Sequence, residues 1–323
     1  MDLENGDWPI FGWTADVRMA LFSCLDAGRS AVLGTIVALE GGAPQPIGTQ
    51  MIFDGTKATG YFSGGCIEAD VGNHAQRVFA DGKPRKLIYG KGSPRIDLRL
   101  TCGGSLTIFL ERIDPSDDAV KLLLEGYEQR RVVRWSSNGF ERSALIQGAR
   151  EKVEPIEGAS YSKIFLPRWR LAVAGDGPIA LALIALAGQC GLEAILLRNS
   201  YAASPMPIAE GRCISGDASA SLKELVPDRW TAIIAASHDD EQDDAVTRMA
   251  LASNAFYVGV LGSSCRATSR KQRLEALGLS ADECARVVSP VGLSNCGRSA
   301  WEVAVSVIAQ ILQIRGSVIA TIA

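Results

Sequence analysis

The stretch Leu171-Ala172-Val173-Ala174-Gly175-Asp176-Gly177-Pro178-Ile179-Ala180 decides how the second half of the chain folds. Its first four residues form an apolar run of strand length. Gly175-x-Gly177-x-x-Ala180 then fits the alanine-ended dinucleotide-binding fingerprint. Pro178 falls at a first helical position, where its missing N–H costs nothing, and the helix runs to Gly188 or beyond. Working outward, Ala194–Leu197, Thr231–Ala235 and Phe256–Val260 read as further strands. Ser264–Leu277 and Ser299–Leu312 read as helices. Strands alternating with helices predict a doubly wound, Rossmann-like parallel sheet over residues 161–323.

The fingerprint alone does not establish a nucleotide ligand. An acid that binds ribose is expected about twenty residues on, at the end of the second strand. Leu197-Arg198-Asn199 stands there instead. Arg198 suits a 2′-phosphate, and equally a solvated strand end. Asp176 places a carboxylate inside a phosphate loop, which repels a pyrophosphate unless it points away. NAD(P) is therefore carried as a candidate ligand, with the 2′-phosphorylated form favoured.

Two more motifs fall at the carboxyl ends of strands, where open α/β sheets bind ligands. Ser237-His238-Asp239-Asp240 follows Thr231–Ala235. His238 could carry a proton or donate to a ligand; the alternative is a loop histidine beside acids that cap the next helix. Gly262-Ser263 follows Phe256–Val260, and the helix after it carries Arg266, Arg270, Lys271 and Arg273. Small residues at a helix start with arginines in the first turns suit a phosphate or carboxylate. The same arginines could form a solvated face.

Residues 1–160 read as an α+β domain. Thr14 is an N-cap candidate for a helix with Val17, Leu21 and Leu25 on one face, which Gly28 can end. Ala31–Leu39 reads as a strand, Glu40–Gly48 as a Gly/Pro loop, and Gln50–Phe53 and Ala58–Phe62 as strands about an Asp54-Gly55 turn. Lys86–Tyr89 and the alternation of Leu106, Ile108 and Leu110 read as strands, and about 117–130 as a polar helix. A hairpin is expected around Ser137-Asn138-Gly139. The connection to the second domain is expected within the weakly hydrophobic stretch Gly148–Ser162. In Ser63-Gly64-Gly65-Cys66-Ile67-Glu68 a strand turns into a helix marked by Ile67, Val71, Ala75 and Val78. Glycines there allow positive φ and close approach to a ligand. A thiol at the start of that helix would have its thiolate stabilised by the helix end. Cys102-Gly103-Gly104 repeats the cysteine–glycine pattern. Two such turns suggest a soft-metal or sulfur site; the alternative is that both cysteines are small buried apolar groups.

Composition bounds the rest. At 323 residues the chain has room for about two domains, and its 47% hydrophobic fraction suits a sizeable core. A net charge of −3 with no long basic run gives no reason to expect nucleic acid or an anionic membrane as partner. The first residues lack the features of a signal peptide, which leads to an expectation of the cytoplasm. The apolar stretches Leu181–Leu197 and Trp301–Ala323 carry charged or amide residues and read as buried elements rather than membrane spans. Eight cysteines without a C-x-x-C pair make disulfides unexpected in such a compartment, and two histidines exclude a His-rich zinc site. The apolar C-terminal helix and tail raise the expectation of a homodimer.

Together these stretches resemble the XdhC/CoxI family, the accessory proteins of xanthine dehydrogenase and related molybdenum hydroxylases. The resemblance rests on Gly42-Ala43-Pro44 through Gly48, Met51, Ser63 to Glu68 and Cys102-Gly103-Gly104. In the second half it rests on Gly175-x-Gly177, Ser237-His238-Asp239, Phe256 to Gly259, Leu261-Gly262-Ser263 and Pro290-x-Gly292-Leu293. It implies a cytoplasmic chaperone that binds the molybdenum cofactor (molybdopterin: a pterin dithiolene carrying molybdenum and a phosphate). Such a protein guards the sulfurated form and delivers it to an apo molybdenum hydroxylase, with a cysteine desulfurase as a further candidate partner. The implied cofactor-binding set is Gly48, Ser63, Gly64, Gly65, Cys66, Glu68, Cys102, Gly103 and Gly104, then Gly175, Gly177, His238, Gly262, Ser263 and Arg266. Cys66 and Cys102 are the implied molybdenum contacts. No catalytic constellation is read, so a maturation factor is expected; the alternative is an NAD(P)-dependent oxidoreductase using the Rossmann half.

Overall fold

A computed structural model describes residues 14–90, 93, 104–147, 158–198, 206–209 and 211–320. The chain divides into two compact units at Pro167/Arg168. The first unit contains α1 (Arg18–Asp26), β1 (Ala31–Glu40), β2 (Gln50–Phe53), β3 (Ala58–Gly60), α2 (Glu68–Asp81), β4 (Arg85–Gly90), β5 (Ser105–Ile113), α3 (Asp118–Glu128), β6 (Val133–Ser137), β7 (Arg142–Ile146) and β8 (Tyr161–Phe165). Its main sheet is antiparallel, in the order β3-β2-β1-β5-β4; a smaller one has the order β7-β6-β8.

Alternation along β1 explains how the main sheet is covered on both faces. Ala31 and Leu33 join α1, α3 and the small sheet through Leu21, Leu123, Trp135 and Phe165. Val32 and Ile36 join α2 on the opposite face through Ile67, Val71, Ala75 and Val78. Gly34 lies on that second face under Phe62: a Cβ there would come within 3.1 Å of the Phe62 ring and 2.9 Å of Leu110.

Two local expectations change. Thr14 does not cap α1: the helix starts at Arg18, and the Asp16 carboxylate accepts from the Arg18 N–H at 3.1 Å and from its guanidinium. Tyr161–Phe165 is a strand of the first unit, because its edge pairs with β6, so the second unit begins after the position read from composition. The stretch 148–157 lies outside the described residues.

The second unit contains β9 (Arg170–Ala174), α4 (Pro178–Gln189), β10 (Glu193–Arg198), β11 (Arg212–Ser215), α5 (Ala218–Leu225), β12 (Thr231–Ala235), α6 (Asp240–Leu251), β13 (Tyr257–Val260), α7 (Ser264–Ala276), α8 (Ala281–Ala285), β14 (Val287–Val288) and α9 (Ala300–Ala320). The parallel sheet has the order β11-β10-β9-β12-β13-β14. Numbered within the unit this is 3-2-1-4-5-6, the doubly wound order, with its switch point between β9 and β12. One face buries Ala172, Ile195, Ile233 and Val258 against α5 and α6. α4 packs beside α9. By length and composition α9 could cross a membrane, yet Ala304, Val307, Ile308 and Ile311 are buried within the unit. The predicted fold class, an α+β domain followed by a Rossmann-like sheet, is the one observed.

Leu183 on α4 is fully buried. Leu183→Ala is expected to lower the stability of the second unit by about 2–5 kcal/mol, checked by chemical denaturation.

Candidate functional site

The registers of the first unit collect its loops at one sheet edge. Thr35 pairs with Gln50, Met51 with Gly60, Glu40 with Ser105, and Gly90 with Ser105. The loop 41–49, the turn 61–67 and Gly104 therefore leave the same end of the sheet. The structure thus brings Gly48, Ser63, Gly64, Gly65, Cys66, Glu68 and Gly104 to one edge. Cys102 and Gly103 lie outside the described residues.

One carboxylate organises the cysteine turn. Glu68, 1% exposed, accepts from the N–H groups of Phe62 at 3.0 Å, Ser63 at 2.6 Å and Ile67 at 3.2 Å. Its second oxygen also takes the Ser63 hydroxyl at 2.7 Å, and that hydroxyl accepts from the Cys66 N–H at 3.1 Å. Cys66 stands two residues before the first residue of the helix. α2 begins at Glu68 with Ile67 as N-cap, and a carboxylate satisfies the donors of the turn. Glu68 lies beneath the rim as part of its scaffold. The rim itself is Gly64-Gly65-Cys66: Gly64 and Cys66 are exposed, Gly65 has φ +103°, and nothing lies within 4 Å of a Cβ placed on Gly64.

The other glycines of this edge answer mainly to their own chain. A Cβ on Gly104 would lie 2.2 Å from the Gly42 carbonyl oxygen and 2.7 Å from that of Glu40. Gly48, at φ +87°, donates its N–H to the Ile36 carbonyl at 2.8 Å, and its own carbonyl accepts from Lys163 Nζ. Lys163 was not among the residues picked out in the sequence; it reaches this edge from a strand 115 residues further on.

In the second unit the carboxyl edge holds the glycine loop. The Gly175 N–H donates to Leu197 O at 3.0 Å, and a Cβ on Gly175 would lie 2.4 Å from Ala236 O. Gly177 is the N-cap of α4, and a Cβ there would lie 3.6 Å from His238 Nε2. Gly175, Gly177 and His238 thus meet at the switch point. His238 is exposed at φ +67°. Ser237 before it is fixed by Asp243, which accepts its N–H at 2.9 Å and its hydroxyl at 2.7 Å. Burial pushes the Asp243 carboxyl up, against those two bonds. Asp239 does cap α6, accepting from Glu241 and Gln242 N–H groups.

Gly262 and Ser263 follow β13 at the same edge, and the Ser263 side chain makes no cap bond to α7. The buried arginine beneath this loop is Arg270. Arg270 is 1% exposed, donates to the Ser289 hydroxyl at 2.9 Å and the Leu261 carbonyl at 3.4 Å, and lies 3.5 Å from a Cβ placed on Gly262. Side chains of a helix lean toward its N-terminus, so a residue nearly two turns in reaches the start. Arg266 is exposed on the first turn and makes no ion pair among the described residues. Arg273 is held by Asp244 at 2.6 Å.

Asp176 and Arg198 face each other across 3.8 Å, and among the described residues the buried Nε of Arg198 has no hydrogen-bond partner. Beside them lies a cavity of about 300 Å³ lined by Leu181, Leu196, Met206 and Pro207. Among the described residues no three His, Cys, Asp or Glu side chains could jointly hold a metal ion.

These features define a two-unit α/β protein, with glycine turns at the strand ends of each unit. The XdhC Rossmann domain matches residues 171–311, and the XdhC and CoxI family matches residues 24–90. The chain is 32% identical over 308 residues to the molybdenum cofactor insertion chaperone PaoD of Escherichia coli, covering 94% of this chain and 90% of the relative. It is 26% identical over 334 residues to a probable xanthine dehydrogenase subunit of Bacillus subtilis, covering 91% and 96%. The crystal structure of a protein from Bacillus halodurans, described as a xanthine dehydrogenase, shares the fold, with a TM-score of 0.76 at 21% identity over 93% of this chain and 96% of that one. The chain belongs to the XdhC/CoxI family.

Removing the Glu68 carboxylate leaves three buried N–H donors and a hydroxyl unpaired. Glu68→Ala is expected to destabilise the first unit by on the order of 3 kcal/mol. Cys66→Ser, at an exposed position, should leave stability within about 0.5 kcal/mol of wild type. Urea unfolding of both variants checks the contrast.

Proposed function

We propose that this protein is a cytoplasmic molybdenum cofactor chaperone, which binds the cofactor, guards its sulfurated form and delivers it to an apo molybdenum hydroxylase of the xanthine dehydrogenase type. The observation that carries the reading is the exposed Gly64-Gly65-Cys66 rim on its buried carboxylate scaffold. An accessible thiol beside open glycine backbone suits a soft metal that arrives with sulfur ligands. Cys102, with Gly103 and Gly104, completes the proposed molybdenum contact. In the second unit, the start of α7 at Gly262-Ser263, its N–H groups without a side-chain cap, suits a phosphate, with Arg266 exposed beside it. Gly175, Gly177 and His238 form a second proposed contact. The partner set is the apo hydroxylase and a cysteine desulfurase, with the chaperone as a homodimer. No turnover is assigned to the chaperone itself.

The test is metal and pterin analysis of protein purified from a molybdenum-fed host, with transfer to an apo hydroxylase scored by the activity gained. Cys66→Ser and Cys102→Ser are each expected to reduce retention of sulfurated cofactor at least several-fold. Cys296→Ser is the control, since that position is exposed, whereas Cys24 and Cys284 are buried and would report packing. Full retention by both test variants removes the thiols as ligands.

A second reading, an NAD(P)-dependent oxidoreductase, is favoured by one observation: the cavity beside Arg198, whose buried Nε has no hydrogen-bond partner. In this reading a 2′-phosphorylated nicotinamide nucleotide binds weakly, because Asp176 opposes the pyrophosphate. Titration should give tighter binding of NADPH than of NADH, and Arg198→Ala should abolish the preference. Tight binding with preference for NADH refutes the weak, 2′-phosphate-favouring binding assigned to Arg198 and Asp176.

A further inference from the structure

We infer that Lys163 is the positioning residue for the 41–48 loop, and that it acts as the end of a chain of enclosed polar side chains rooted at Glu111. The inference rests on the proposed reading of that sheet edge as part of the cofactor site.

The chain can be followed atom by atom. Glu111, 0% exposed, accepts from the Ser137 hydroxyl at 2.5 Å, from Arg142 Nη1 at 3.2 Å and from the Tyr161 hydroxyl at 2.6 Å. Arg142 is itself fixed by Asp117 at 2.6 Å and by the Arg112 carbonyl at 2.7 Å. The Tyr161 oxygen accepts from Trp135 Nε1 at 3.2 Å and from the Thr35 hydroxyl at 3.5 Å. Thr35 accepts from Gln50 Nε2 at 3.0 Å. The other end of that amide, Gln50 Oε1, accepts from Lys163 Nζ at 2.8 Å, and Lys163 also donates to the Gly48 carbonyl.

Gly48 is therefore held twice. Its N–H is bound to β1 through Ile36, and its carbonyl is bound to β8 through Lys163. At φ +87° it is a bend in the chain, so fixing both of its polar groups fixes the direction in which the loop enters β2. The amide of Gln50 cannot rotate to compensate, because Thr35 takes its nitrogen end while Lys163 takes its oxygen end.

The protonation state of Lys163 fits this role. The residue keeps some exposure, but its amine is enclosed, and burial pushes it down to about 7. The charges facing it are Asp16, which opposes that shift, and Arg18, which adds to it; the Phe165 ring lies 4.7 Å from Nζ. Gln50 Oε1 and Gly48 O accept two of its N–H groups whether the amine is charged or neutral. A functional loop is held by residues whose own positions are locked by packing and further hydrogen bonds, and this chain supplies that lock.

The test compares wild type with Lys163→Met, which keeps the stem and removes both donors, using the full chain. Amide exchange of the 41–50 peptide in cofactor-free protein should rise about tenfold or more, with other peptides unchanged. Cofactor loss from the loaded variant should be several-fold faster. The lysine signal missing from the variant should titrate near pH 7 in wild type by nitrogen-detected resonance. The free energy of unfolding of wild type relative to the variant should then rise between about pH 7 and pH 10, because the unfolded lysine keeps its proton to about 10.4 while the folded amine has lost it. Gln50→Glu places a carboxylate against Nζ, so it should raise that midpoint while keeping the loop protected. Unchanged exchange of 41–50 in Lys163→Met overturns the inference. Faster exchange with unchanged cofactor loss instead overturns the reading of this edge as a cofactor site. If Lys163→Met does not fold, Gln50→Glu decides by its midpoint: no upward shift overturns the inference.

Discussion

A chain that leaves a sheet edge carries N–H groups that the sheet no longer satisfies, and the Glu68 carboxylate is how the first unit meets that requirement. Four donors converge on its two oxygens: the N–H groups of Phe62, Ser63 and Ile67 and the Ser63 hydroxyl. An orphan buried N–H costs roughly 1–3 kcal/mol. The turn is therefore held by the side chain of the first residue of α2, folded back over the six residues that precede it. With Ile67, Val71, Ala75 and Val78 already packed on the sheet, the rim has little freedom to move. Cys66 then stands exposed on a fixed backbone, which suits a contact that must be ready before its ligand arrives.

The glycines of the two edges fall into two physical kinds. Gly104 and Gly175 are hemmed by backbone, the first by Gly42 and Glu40 carbonyls and the second by Ala236. Any side chain there would collide with the protein itself, so their identity is set by the fold. Gly64 has open space over it, and Gly177 faces only the His238 ring at van der Waals distance. These positions leave backbone accessible from outside, and they are where a ligand could come close. The glycine–cysteine turns look alike in the sequence because both uses demand the same residue.

Local pattern carried most of the fold. The apolar run Leu171–Ala174, the glycines after it and Pro178 agree with one another over ten residues, and β9 and α4 form there. The edge strands were harder: β11, at Arg212–Ser215, has an exposed or half-buried pattern without the apolar alternation that marks a strand. The site was legible only where it is local. The Gly64-Gly65-Cys66 turn and the Gly175, Gly177 and His238 group were found from neighbouring residues or from strand ends. Lys163 was not, and Arg270 stood out only as one of four basic residues on its helix, for different reasons. Lys163 acts on Gly48 across 115 residues of sequence, and nothing near either position announces the other. Arg270 sits among three other basic residues on one helix, and only packing separates the buried one from the solvated ones.

The charges in the second unit's glycine loop show how two departures from a fingerprint can offset each other. Asp176 alone would oppose an anionic ligand, and Arg198 alone would attract one. Facing each other at 3.8 Å they largely cancel at long range. The pair is weak, however. Asp176 is 59% exposed, and an ion pair with one solvated partner contributes about 1 kcal/mol or less. Arg198 is the more enclosed of the two at 24%, and its Nε has no hydrogen bond. A phosphate can offer a guanidinium two parallel hydrogen bonds, a stronger arrangement than the present contact. What the cavity accepts depends on whether a ligand can satisfy Arg198 better than Asp176 does.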